Sequence, residues 1–327
     1  MSHTSQNHVE FEHLSDPSTI STSHVISLDQ EEVAEVLTET DHLISKFGPR
    51  LAGNAADHQT SKYLYQQFQN HCDSAHRESF QFARDAFLAF MKVLALCYVL
   101  GFCSFLLGGY WFIFGLVCFV FGSVFAVEEF VLYHHTFDRF FEHYTGYNVH
   151  GVLEPTEPTQ QTVILSAHHD SAYIFNFFKS HQKWYGPRIF TGLLFYHILE
   201  LSLIIPLIMG FDKFNGSIWK TVILLLFLVS FPFIGAFYFF KSKEASPGAG
   251  DNLVASILLT KLAAKYRKLQ NEGKGLEHTR LLFVSHDAEE SGIRGSEVFV
   301  AKHEEEFKSM PTYVLNLESI YAVEHLS

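Results

Sequence analysis

Charged side chains are scarce in this sequence. Only 18% of its 327 residues are charged, against about 25% in ordinary soluble domains. Hydrophobic residues make up 48%, and 34 residues are phenylalanine. Basic residues are fewer than acidic ones, 23 against 35, so the formal net charge is -12 and no basic surface is available for a nucleic-acid partner. The composition excludes a disordered or fibrous chain and indicates that part of the protein lies in lipid.

Cysteines and N-terminal basic residues are also few. The cysteines at positions 72, 97, 103 and 118 have no close spacing, which argues against a disulfide framework or a thiolate metal site and favours a reducing compartment. Residues 1–44 contain no lysine or arginine, unlike the basic start of a secretory or transit signal. We interpret residues 1–28 as a polar, acidic tail.

Long uncharged runs are present instead. Residues 93–127 form a run of 35 without a charged side chain, interrupted near the middle by Gly108, Gly109 and Tyr110. One bilayer crossing needs about 20 apolar residues, so the run is long enough for two helices joined by a tight turn. We therefore predict a first transmembrane hairpin at 87–133.

A second apolar pair follows later in the chain. Its helices are predicted at 189–210 and 218–240, within a transmembrane hairpin at 189–240. Pro206 and Pro232 lie inside these runs, and proline is tolerated better in membrane helices than in soluble ones. Together the two hairpins predict an integral membrane protein with four crossings and the lipid bilayer as a partner.

Four crossings leave nearly all polar segments on one side of the membrane. The basic residues beside the hairpins on that side are Arg84, Lys92, Arg139, Lys179, Lys183, Arg188, Lys241 and Lys243. The two far turns carry only Lys213 and Lys220. The positive-inside rule therefore predicts a cytoplasmic polar domain. His197 and Glu200, in the third crossing, are expected at the membrane interface.

The remaining segments alternate between helical and strand-like patterns. Helical periodicity covers 31–47, 57–71 and 252–269, and strand-like runs cover 148–153, 162–167, 280–285 and 312–317. This alternation predicts an α/β fold, a mixed and largely parallel sheet flanked by helices, with its site at the carboxyl ends of the strands. The predicted domain comprises 29–86, 134–188 and 241–327, with the two hairpins inserted into it.

Reactive residues follow the first of these strands and a glycine-rich loop. The run at 162–167 leads into His168 and Asp170, and Asp170 can hold one ring nitrogen of His168 while the other binds a metal. Asp251 stands at the start of the helix at 252–269, where an ordinary N-cap is an alternative explanation.

Further carboxylates follow the later strands. Glu289 and Glu290 come after the run at 280–285, and Glu318 directly follows the run at 312–317. Neighbouring carboxylates repel each other unless cations or protons intervene. The pattern therefore favours a metal site at this edge of the sheet.

The order of these motifs resembles metallopeptidase family 28, which includes co-catalytic zinc aminopeptidases and glutaminyl cyclases. The motifs are HxD, then GxxDN, then EE-x-G-x-x-GS, then a strand that ends in an acid. The segment Arg50-Leu51-Ala52-Gly53 resembles the family's N-terminal "RLAG", and Tyr147-Asn148-Val149 resembles the start of its next strand. The resemblance covers 31–318 with the hairpins set aside.

The resemblance implies two zinc ions and a peptide substrate. His168 and Glu318 would bind one zinc, Glu290 would bind the other, and Asp251 would bridge them. The family's last zinc ligand is a histidine on a further strand and loop, and His325 is only seven positions after Glu318. The second site is therefore expected to be incomplete, and we expect the chain to be either a truncated form or a natural variant.

The resemblance also implies roles in catalysis. Asp170 would orient His168, and Glu289 would be the general base that takes a proton from the attacking water and returns it to the leaving amine. The implied activity is that of a membrane-bound zinc aminopeptidase. A glutaminyl cyclase and a catalytically silent membrane scaffold remain alternatives, and nothing in the sequence indicates an oligomeric state.

Overall fold

A computed structural model describes residues 29–319 of the chain. The main sheet has five strands: β1 (Ser74–Phe82), β2 (Tyr144–Leu153), β3 (Gln161–His168), β6 (Thr279–His286) and β7 (Thr312–Asn316). A separate two-stranded ribbon is formed by β4 (Tyr173–Phe175) and β5 (Lys241–Ala245).

Helices make up most of the rest of the chain. Those in the polar segments are α1 (Gln30–Phe47), α2 (Ala55–His71), α10 (Val254–Asn271) and α11 (Arg294–Lys308). Those in the apolar segments are α3 (Ala89–Leu107), α4 (Trp111–Ala126), α6 (Tyr185–Ser202), α7 (Ile205–Met209), α8 (Phe211–Asn215) and α9 (Ile218–Ile234), with the short α5 (Asn176–Ser180) before them.

The main sheet mixes parallel and antiparallel pairs, in the order β1-β2-β6-β3-β7. The pairs β1–β2 and β2–β6 are antiparallel, whereas β3 lies parallel to both β6 and β7. The predicted mixed α/β sheet is thus confirmed. His168 lies opposite His286, and Ser166 lies opposite Asn316, so β6, β3 and β7 end at the same edge.

Helices cover both faces of this sheet. Leu281 and Phe283 of β6 pack into a cluster with α1, α2 and α10, whereas Leu282 and Val284 pack against Phe299 of α11. Because both faces of β6 are buried, its sequence is a continuous apolar run rather than an alternating one. This explains why the sequence pattern located β6 within one residue of its observed bounds.

Within residues 29–319, four helical segments are long and apolar enough to span a membrane. They are Ala89–Leu107, Trp111–Val131, Gln182–Met209 and Ile218–Phe239. The helices of the first pair approach closely at Gly101, which has no side chain. A Cβ there would lie 2.3 Å from Phe119 Cε2, so only glycine leaves room for that ring. The third segment is not straight: α6 ends at Ser202, and α7 begins just before Pro206.

The β4–β5 ribbon joins the two ends of the second apolar pair. Tyr173 lies opposite Ala245, and Phe175 lies opposite Lys241. At the inner end of the ribbon, the Asn176 N–H donates to the carbonyl oxygen of Phe240 at 2.9 Å. The chain therefore enters and leaves this pair of helices at one place in the fold.

Candidate metal centre

The polar residues predicted from the sequence meet at the edge where β6, β3 and β7 end. His168 is the last residue of β3, and Asp170 follows it; Glu289 and Glu290 follow β6, Glu318 follows β7, and Asp251 lies in the turn Ala249–Leu253 before α10. The sheet register, together with the turn before α10, therefore brings residues from four separate sequence motifs to one place.

His168 lies at the centre of this group. Its Nδ1 is 3.1 Å from Asp170 Oδ1. Its Nε2 is 3.1 Å from Asp251 Oδ1, 3.3 Å from Glu318 Oε1 and 3.7 Å from Glu289 Oε2. The ring thus has one nitrogen held by a carboxylate and the other facing three carboxylates, which is the arrangement of a metal-binding histidine.

Asp170 joins the histidine to the turn that carries the two glutamates. Its Oδ1 accepts a hydrogen bond from the Glu289 N–H, and its Oδ2 accepts one from the Glu290 N–H, each at 3.1 Å. The side chain is fully buried. Asp170 therefore fixes the position of the Glu289–Glu290 backbone as well as the orientation of the His168 ring.

The crowded carboxylates change one another's acidity. Burial, with the charges of Asp170, Glu318 and Asp251, raises the pKa of Glu289 to about 7. Burial and the charges of Asp170 and Asp251 raise the pKa of Glu290 to about 8. A group with a pKa near neutrality is suited to accept and return a proton at physiological pH.

The neighbouring carboxylates favour the protonated form of the His168 imidazole. Burial alone would lower the pKa of His168, but its contacts with Asp170, Asp251 and Glu318 outweigh burial and hold the pKa well above the usual value. The hydrogen bond to His168 lowers the pKa of Asp251. The centre therefore attracts positive charge strongly, which a proton or a metal ion can supply.

Two side chains with no predicted role support the loops of the centre. Arg50 is fully buried; its Nε donates to the His169 carbonyl at 2.9 Å and its Nη2 to the Gly248 carbonyl at 2.8 Å. Asn252 Nδ2 donates to the Leu317 carbonyl at 2.7 Å. The only signal in the sequence is their place beside motif residues, since hydrogen bonds to distant carbonyls leave no periodic pattern.

The donor set fits a zinc ion. His168, Asp251 and Glu318 each offer one ligand atom, and the three atoms lie within 4.8 Å of one another. Two ligands about 2.1 Å from a tetrahedral zinc lie roughly 3.4 Å apart, close to the observed separations. One imidazole and two carboxylates would therefore hold zinc here.

Glu290 stands apart from this set of three. Among residues 29–319, the groups of three closely spaced donors do not include it. The arrangement provides three closely spaced donors that fit one zinc ion.

One protein-family model matches part of the chain. Residues 238–325 match the model of peptidase family M28. Over these residues the chain is similar to the M28 peptidases. The predicted resemblance is therefore confirmed over the part of the chain that contains Asp251, Glu289, Glu290 and Glu318. Curated proteins give no match.

Several solved structures are distantly similar. A glutaminyl cyclase from Fimbriiglobus ruber is 11% identical with a TM-score of 0.43, covering 90% of this chain and 63% of that chain. A zinc-dependent exopeptidase from Parabacteroides distasonis is 12% identical, with a TM-score of 0.44 and coverage of 88% and 61%. A leucine aminopeptidase precursor from Bacteroides thetaiotaomicron is 10% identical, with a TM-score of 0.46 and coverage of 90% and 65%. This chain spans less than two thirds of the length of each, and the likenesses are too distant to assign an activity.

Proposed function

We propose that this chain is a membrane-bound zinc peptidase, an aminopeptidase that hydrolyses peptides at the cytoplasmic face. The observation that carries the proposal is the arrangement around His168 Nε2, where Asp251, Glu318 and Glu289 oxygens lie between 3.1 and 3.7 Å. The match of residues 238–325 to family M28 supports the same reaction class.

The contacts around His168 support the proposed metal-binding roles. His168, Asp251 and Glu318 would bind the first zinc, and Asp251 together with Glu290 would bind the second. Zinc, when bound, lowers the pKa of a coordinated water and polarises the carbonyl of the peptide bond to be cleaved. Asp170 keeps the His168 ring in the orientation that presents Nε2 to the centre.

Glu289 is the general base of the proposed reaction. It accepts a proton from the attacking water and returns that proton to the amine that leaves, so it ends the cycle in its starting state. Burial and the neighbouring carboxylates raise its pKa to about 7. Its backbone N–H bond to Asp170 holds the turn, so the carboxylate stays beside the metal ligands.

The Glu289→Gln variant tests this assignment. Because glutamine keeps the shape but cannot carry the proton, hydrolysis of a peptide with an N-terminal leucine should fall by about 10²- to 10⁴-fold. Zinc content, measured by mass spectrometry on the purified protein, should stay at the wild-type level. Glu305→Gln, an exposed change on α11, is the matched control and should leave both unchanged.

Other results would contradict the proposal in distinct ways. Undiminished hydrolysis in Glu289→Gln would reject the assignment of Glu289 as the general base. Formation of pyroglutamate from an N-terminal glutamine peptide, without hydrolysis of the leucine peptide, would instead indicate a glutaminyl cyclase. Absence of bound zinc in the wild-type protein would favour the silent scaffold.

A further inference from the structure

A second group of metal-binding side chains lies away from the centre described above. It consists of Glu78 on β1, His150 on β2 and His303 on α11. The helix α11 packs on the sheet face opposite α1, α2 and α10. These three residues therefore join the antiparallel β1–β2 pair to the helix that follows the Glu289–Glu290 turn.

The geometry of the group suits a metal ion. One ligand atom from each of the three residues lies within 4.8 Å of the other two. His303 Nε2 and Glu78 Oε2 are 3.3 Å apart, and two ligands of a tetrahedral zinc are separated by roughly 3.4 Å. The β1–β2 register fixes two of the three, because His150 lies opposite His76 and Glu78 follows His76 on the same face.

His150 provides an independent observation that points to a ligand. Its side chain is only 4% exposed, and its Nδ1 is buried without a hydrogen-bond partner. A buried polar atom without a partner costs free energy, and a bound ion removes that cost. Burial also lowers the pKa of His150 to about 4, which leaves the ring neutral and able to bind a metal at physiological pH.

His303 is oriented as metal-binding histidines are. While Nε2 faces Glu78, its Nδ1 lies 3.3 Å from Glu306 Oε2. Glu306 is itself held by Arg280, whose Nη1 donates to Oε1 at 2.9 Å. A carboxylate on the second ring nitrogen fixes the tautomer and raises the basicity of the first, as around known zinc-binding histidines.

An ordinary ion pair explains only part of this arrangement. Lys302 Nζ lies 2.8 Å from Glu78 Oε1, so Glu78 already has a positive partner. The Lys302 side chain is 56% exposed, however, and it occupies the oxygen that does not face His303. The lysine also leaves the buried His150 nitrogen unpaired, so it competes with a metal ion for Glu78 without replacing it.

We propose that Glu78, His150 and His303 bind a divalent transition-metal ion of the zinc type, at a site separate from the His168 centre. Two imidazoles and one carboxylate are ligands that zinc prefers, and water completes the coordination. The bound ion fastens α11 to β1 and β2. It thereby stabilises the helix whose first residue, Arg294, follows the catalytic turn.

Zinc stoichiometry of the full chain in detergent tests the proposal. After equilibrium dialysis against Zn²⁺, His303→Gln and Glu78→Gln should each bind one equivalent fewer than the wild type, whereas the exposed-site control His42→Gln should bind the same number. Equal zinc content in the wild type and both variants would overturn the proposal.

A stability measurement isolates the new site from the His168 centre. In an Asp251→Asn background, which removes a ligand of that centre, Zn²⁺ should still raise the melting temperature; adding His303→Gln should abolish the increase. Lys302→Met should tighten zinc binding at this site several-fold, because it removes the competitor for Glu78. No zinc effect on Asp251→Asn, or unchanged affinity in Lys302→Met, would contradict the assignment.

Discussion

Asp57 and Asp287 form a fully buried pair of carboxyl groups beside His169, the residue that follows His168 in the chain. Asp57 Oδ1 lies 3.5 Å from His169 Nε2, and Asp57 Oδ2 accepts a hydrogen bond from the Gly53 N–H at 3.0 Å. Burial holds the pKa of His169 well below its usual value, so the ring brings no positive charge. The carboxyl pair must therefore retain a proton to remain buried.

This pair makes stability depend on pH with a defined sign. Burial and the neighbouring Asp287 raise the pKa of Asp57 well above its usual value, and burial with the charge of Asp170 raises the pKa of Asp287 to about 7. An unfolded aspartate has a pKa of about 3.9. Between these values the native state binds more protons than the unfolded state, so the pair lowers stability as pH rises from about 4 to 7.

Asp57→Asn tests the pair, because an amide keeps an acceptor for Gly53 and cannot ionise. The wild-type free energy of unfolding should fall by up to about 1.4 kcal/mol per pH unit across this range through the pair. The variant should lose the part of that contribution that comes from Asp57 and should exceed the wild type at pH 8, measured by urea denaturation in detergent. The same slope in both proteins would show that Asp57 does not titrate in this range.

Helices and strands with a strong local sequence pattern were predictable. Strands that depend on pairing with another segment of the chain were not. The central residues of β3 and β6, 163–165 and 281–284, are all apolar, so these strands stand out in the sequence. In β1 both faces carry polar residues, such as Arg77 and Glu78, and only its pairing with β2 makes it a strand. The β4–β5 ribbon likewise depends on two segments far apart in the chain.

The site was predictable to a similar degree. The motifs located His168, Asp170, Asp251 and Glu318 at strand or helix ends, and the register of parallel strands then brings them together. The buried supports of the loops, such as Arg50, were not predictable, because their partners are carbonyl groups of distant loops.

A buried ion pair joins the first apolar hairpin to the start of α11. Arg294 Nη2 lies 3.2 Å from Glu129 Oε2, and both side chains are at least 99% buried. The same nitrogen donates to Asp138 Oδ1 at 2.9 Å. Since Arg294 follows the turn that carries Glu289 and Glu290, the hairpin and the candidate site share one structural support.

Arg294→Met should cost about 3–5 kcal/mol of stability, because it leaves the Glu129 carboxylate buried without a counter-charge. The double variant Glu129→Gln/Arg294→Met should lose less than the sum of the two single changes, measured by denaturation in detergent. Arg280→Met, which breaks half-exposed ion pairs with Glu154 and Glu306, is the control and should cost less than about 1 kcal/mol. Strict additivity in the Glu129–Arg294 cycle would exclude a direct coupling.

For the whole molecule, we propose that both hairpins cross the bilayer and leave the peptidase domain in the cytoplasm. Single cysteines in a cysteine-free background test this. In intact cells, a membrane-impermeant thiol reagent should label Gly109→Cys and Lys213→Cys, which lie in the far turns, and should leave Lys274→Cys unlabelled until the cells are opened. Labelling of Lys274→Cys alone in intact cells would reverse the orientation.

The β4–β5 ribbon has a consequence for how such a protein can be assembled. Phe175 and Lys241 lie side by side, so the 65 residues between them leave the ribbon and return to it at the same place. The number of residues in this segment therefore does not strain the flanking chain. The second hairpin is therefore an insertion that can be exchanged without changing the rest of the fold. A two-residue turn in its place would leave the ribbon, and the path from β3 to α10, with unchanged connectivity.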